Sequence, residues 1–130
     1  MRNIRLNVGG LALRGTLDDS ALAEQVWALL PYEADGESWG REVYFPVQLK
    51  TANTAPVVTV NVGDIAYWPD GPDLCLFFGP TPKSIDSRPV TLSPVTVIGS
   101  FACNPDDFVR IEYRRRGIPV RVERDNAGPA

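Results

Sequence analysis

The stretch Gly63-Asp64-Ile65-Ala66-Tyr67-Trp68-Pro69-Asp70-Gly71-Pro72-Asp73-Leu74-Cys75-Leu76-Phe77-Phe78-Gly79-Pro80-Thr81-Pro82 is where the chain is most legible. It holds the aromatic pairs Tyr67-Trp68 and Phe77-Phe78. Pro69, Pro72, Pro80 and Pro82 also lie in it, and Pro89 follows. Asp64 to Trp68 reads as a strand, Pro69 to Pro72 as a turn, and Leu74 to Phe78 as a second strand. Asp70-Gly71 is turn chemistry. So many rigid and aromatic residues point to a shaped surface rather than a generic core strand. Neighbours on a strand face opposite sides. One member of each pair is therefore core, and the other is a candidate for an outer groove. Tyr44-Phe45 repeats the pattern a third time.

Upstream, Arg2 to Val8 alternates Ile4, Leu6 and Val8 against Arg5 and Asn7, as a half-buried strand does. Gly9-Gly10 signals a hairpin, and Leu11 to Leu17 alternates again. Asp18-Asp19-Ser20 offers helix N-caps. Leu22, Val26, Leu29 and Leu30 share one helical face, and Pro31 ends it. Glu33 to Gly40 reads as a polar loop and Glu42 to Val47 as a short strand. Lys50 to Ala55 is a spacer, and Val57 to Val62 is β-branched. Downstream, Gly79 to Pro89 is a loop and Val95 to Ala102 a strand. Pro105 to Val109 is a helical turn capped by Asn104. Val120 to Arg124 closes the domain. Residues 1–124 read as one domain and 125–130 as a frayed tail. Many short strands and one clear helix predict a mainly β fold, a barrel or sandwich capped by a helix.

Composition narrows the function. Of 130 residues, 44% are hydrophobic and 22% charged, an ordinary soluble balance. No run approaches a membrane span. The first residues alternate polar and apolar with no signal-peptide core, so a cytoplasmic protein is expected. The net charge of −3 argues against nucleic acid. Arg114-Arg115-Arg116 is the local exception, read as a solvated turn. With no histidine, Ser-His-Asp and Cys-His sites and every His-ligated metal site are excluded. Cys75 and Cys103 read as thiols rather than a disulfide. No phosphate loop or dinucleotide fingerprint is present. No cofactor and no metal are expected.

Gly63 to Gly79, with its short strand, Asp-Gly-Pro turn and Phe-Phe pair, resembles the central strand pair of cyclophilins. Val95 to Gly99, followed by Ser100-Phe101, resembles a late strand of that fold. The closer similarity is to a prokaryotic family of small cyclophilin-like proteins. Trp39-Gly40, Tyr44-Phe45, Gly63-Asp64, Tyr67-Trp68-Pro69, Leu76 to Gly79 and Thr81-Pro82 carry it. The resemblance covers residues 2 to 124. It implies a closed eight-stranded antiparallel β-barrel, capped by one helix and a helical turn. Its interior is filled by side chains, so ligands would bind on the outer wall.

In cyclophilins that wall holds a proline ring in an apolar groove beside an arginine. Here the resemblance maps the arginine to Arg41 and the groove to Phe45, Trp68 and Phe78. With Tyr44 and Tyr67, these aromatics form the expected ligand-binding set. Proline isomerisation needs only a grip on the ring and a donor to the twisted amide, against a barrier near ~20 kcal/mol. Two positions depart from the isomerase pattern. Val95 stands where cyclophilins carry a histidine, and the loop Ile85 to Val90 lacks their rim tryptophan. The favoured reading is a module that binds a peptide or small molecule. A weak peptidyl-prolyl isomerase using Arg41 is the second reading. The third is a homo-oligomer that buries the groove.

Overall fold

The structure, a computed structural model, describes residues 2–112 and 115–125. Strand β1 (Arg2–Val8) turns through Gly9-Gly10 into β2 (Leu11–Leu17), with Val8 opposite Leu11. Both turn glycines have positive φ, 57° and 88°, a conformation that side-chain-bearing residues rarely adopt. Helix α1 (Ala21–Leu29) follows. The Ser20 hydroxyl accepts from the Ala23 amide at 3.1 Å and caps it. Leu22, Ala23 and Val26 are its buried side chains.

Next come β3 (Tyr32–Trp39), β4 (Glu42–Pro46), β5 (Val57–Thr59), β6 (Asp64–Trp68), β7 (Asp73–Phe77) and β8 (Val90–Phe101). A 3-10 turn over Pro105–Phe108 leads into α2 (Val109–Glu112), and β9 (Ile118–Arg124) ends the described fold. Asn104 caps the turn through its side chain, as expected. The polar run from Glu33 is not a loop. Its acids lie exposed on one side of β3, with Tyr32, Ala34 and Gly36 on the other. Glu33 pairs with Arg121 directly across on β9. The late strand begins five residues early, at Val90. Asp125 still donates to the Asn3 carbonyl at 2.9 Å, so pairing runs one residue past the expected boundary. The tail 126–130 and Arg114 lie outside the described residues; Arg115 and Arg116 are exposed.

The strands are ordered β2-β1-β9-β3-β4-β7-β6-β8, and β8 pairs back onto β2. Eight antiparallel strands thus form a closed ring, and β5 joins β8 from outside it. The seam between β2 and β8 is tight. A Cβ at Gly99 would run into the Thr16 carbonyl, and one at Gly15 would lie 2.7 Å from the Ser100 carbonyl.

Ile4, Leu6, Val8, Val43, Phe45, Ile65, Tyr67, Leu74, Leu76 and Ile98 fill the ring. Leu22 and Val26 of α1 join this cluster, Val26 beside Leu74 and Val122. Phe108 and Ile111 join near the opposite end, where Phe78 stacks between Phe101 and Phe108 at 4.9 and 5.1 Å. No helix among the described residues is long and apolar enough to cross a membrane.

Candidate functional site

Strand alternation puts Val43 and Phe45 of β4, Leu74 and Leu76 of β7, and Ile65 and Tyr67 of β6 inside the ring. Glu42, Tyr44, Asp73, Cys75, Phe77, Ala66 and Trp68 therefore face outward. They are not a solvated wall. Val60 and Val95, beside β5 and on the first half of β8, cover Ala66, Cys75 and Phe77 to make a second apolar cluster. Tyr44, Trp68 and Val97 pack at its edge. The outer wall is thus a second layer, and it is incomplete.

Where that layer stops, a pocket of about 200 Å³ opens. Trp39, Glu42, Tyr44, Trp68, Cys75, Thr91, Leu92, Ser93 and Val95 line it. The Trp68 indole N–H donates to Ser93 Oγ at 2.5 Å, and Ser93 Oγ donates to Asp70 Oδ2 at 2.6 Å. This chain fixes the indole plane from its rim. Tyr44 donates its hydroxyl to Glu37 Oε2 at 2.7 Å. The Tyr44 and Trp68 rings stand 6.5 Å apart and 80° to each other, two walls of a corner.

Glu42 is 6% exposed. Burial, reinforced by the charge of Asp73, pushes its carboxyl up to about 7, and a hydrogen bond from the Cys75 thiol pulls it partly back. Burial likewise raises Asp73, with Glu37 adding to the effect. The Cys75 thiol is held well above its usual range by burial and then by Glu42. Tyr44 is pushed up to about 12, by burial first and then by its bond to Glu37. Thr91 is 3% exposed, and its hydroxyl makes no hydrogen bond among the described residues. Such an orphan is uncommon in a folded protein. No group of three or more His, Cys, Asp or Glu able to hold a metal ion occurs among the described residues.

The Cyclophilin-like family model matches residues 2–123. The chain belongs to the cyclophilin-like family. It is similar to the solution structure of a hypothetical protein from Archaeoglobus fulgidus. That match has 29% identity and a TM-score of 0.72, and it covers 95% of each chain. No curated protein matches the chain.

In this cyclophilin-like protein the expected ligand-binding residues divide by strand parity. Tyr44 and Trp68 line the pocket. Phe45, Tyr67 and Phe78 do not: each is at most 1% exposed, inside the ring. Tyr67 is core with a polar tip, its hydroxyl donating to the Leu49 carbonyl at 2.7 Å and accepting from the Thr51 amide at 3.1 Å. Of the Phe77-Phe78 pair, the outward member is Phe77, and it too is covered.

Arg41 is not in the pocket either. Its guanidinium lies over the Phe108 ring at 5.3 Å, and its stem packs on Gly79. Glu42, its neighbour, takes the pocket side. Trp39, Glu42, Cys75, Thr91, Leu92, Ser93 and Val95 are the lining residues that sequence reasoning did not single out for binding. Glu42 carried one usable signal, its two-residue spacing from Tyr44 on one strand.

Proposed function

We propose that this cyclophilin-like protein is a binding module, and that the outer-wall pocket holds a small molecule or a single side chain of a peptide. We read the closed ring as a small barrel that supports this wall. The observation that carries the reading is the pocket itself, with a partnerless buried hydroxyl at Thr91 and a buried carboxyl at Glu42. Ligand sites pair apolar walls with a few polar groups of this kind. The volume suits one ring-sized group, since a cavity of about 150 Å³ takes a benzene. An isomerase would need a donor beside the gripped proline. Arg41, the residue considered for that role, lies over Phe108 instead.

A fragment screen by two-dimensional NMR tests the reading. Binders are expected to move the indole signals of Trp39 and Trp68 and leave Trp27, which packs against Arg124, unmoved. Trp68→Ala is expected to remove those shifts while the spectrum stays folded. Binders that move neither pocket indole would count against the reading. A panel of X–Pro peptides is expected to isomerise at the uncatalysed rate.

A further inference from the structure

The pocket's walls carry one kind of charge preference. Glu42 lines it, Glu37 is held at its edge by Tyr44, and the charge of Asp73 reaches both Glu42 and Tyr44. Neither lysine nor arginine is among the lining residues. Lys83 Nζ donates to the Leu92 carbonyl at 3.5 Å, and Lys83 is not among the lining residues. Besides its small apolar and hydroxyl-bearing residues, the lining includes three aromatic side chains, Trp39, Tyr44 and Trp68. Aromatic faces attract cations, Trp most strongly. Tyr44, donating to a carboxylate, presents an electron-enriched ring. The Trp68 N–H is already engaged by Ser93, so what that indole has left to offer a ligand is apolar surface.

We infer that the pocket takes an organic ammonium group, with Trp39, Tyr44 and Trp68 as its walls and Glu42 as its counter-ion. The inference rests on the pocket being the binding site. An ammonium brings donors and no acceptor. Glu42 and the orphan Thr91 hydroxyl both accept. An anion would meet the Glu42 carboxyl in the pocket and feel the charges of Glu37 and Asp73 beside it. A neutral apolar group would bring the buried Thr91 hydroxyl no partner and Glu42 none besides the hydrogen bond from the Cys75 thiol, which is costly. Glu42, raised by burial to about 7, has the electrostatics of a carboxyl that lacks a cation. A bound ammonium would draw it back down and release a proton.

The test is an NMR titration of the full chain at pH 7.5 with n-butylammonium chloride, 1-butanol and sodium butyrate. Butylammonium is expected to shift the Trp39 and Trp68 indoles at a concentration at least tenfold below butanol. Butyrate is expected not to shift them. Glu42→Gln should weaken butylammonium at least tenfold and so remove its advantage over butanol. The comparison on the native chain stands even if that variant folds poorly. Nα-acetyl-lysine N-methylamide separates the sources. Tighter binding than butylammonium points to a peptide lysine, and weaker binding to a free amine. Equal affinity for butanol and butylammonium would overturn the inference but leave a binding pocket. Pocket indoles that respond to none of these probes, nor to any fragment, would overturn both.

Discussion

Glu42 makes the fold itself sensitive to pH. Its carboxyl titrates near 4.5 when unfolded and about 7 in the native protein. Between those values the native state holds a proton that the unfolded state has lost. Stability therefore falls as pH rises from about 4.5 to about 7, and this contribution levels off above. The full effect is on the order of 3 kcal/mol. Asp73, also raised, acts in the same direction from a lower pH. Urea denaturation at pH 5 and pH 8 is expected to show the native chain less stable at pH 8. Glu42→Gln should flatten most of that difference and exceed the parent in stability at pH 8. An unchanged slope in the variant would mean the carboxyl titrates normally. Such a residue is hard to recognise from sequence. A glutamate opening a short strand reads as solvated, and what buries it is a strand half a chain away, Thr91 to Val95.

Among the strands, the seam where β8 meets β2 closes the ring. Gly99 sits opposite Leu17 there, and a methyl group at Gly99 would overlap the Thr16 backbone. Backbone cannot step aside as a side-chain end can. Gly99→Ala is expected to cost roughly 2–3 kcal/mol, as overpacking does. That is about 10 °C in melting temperature for a domain of this size. A melt within 2 °C of the parent would show that the seam can relax. The early hairpin, α1 and the β6-β7 pair were readable because each announces itself locally, by alternation, a cap or a turn. β3 was not. Its inward side carries Ala34 and Gly36 rather than large apolar residues, and its outward side carries three acids. Pairing with β9 across 88 residues of chain separation, as between Glu33 and Arg121, is what makes it a strand.

For the molecule as a whole, two layers carry different duties. The ring interior holds the fold, and the outer layer holds the pocket. Phe78→Ala, emptying the stack between Phe101 and Phe108, is expected to cost about 3–5 kcal/mol. Trp68→Ala, at the pocket edge, should leave a cooperative unfolding transition and remove ligand response. Denaturation curves for the two variants check this, and equal losses would erase the distinction between layers. By itself the sequence determined the family, the mainly β architecture and the location of the aromatic strands near the pocket. Those follow from local alternation, turn residues and short motifs. Only the tertiary structure decided which member of each aromatic pair is outward, that Arg41 turns to Phe108, and that Glu42, Cys75 and Thr91 join Tyr44 and Trp68. Parity says that neighbours diverge. Which side is the core depends on how the ring closes, and which outward face is covered depends on where β5 and the early half of β8 come to rest.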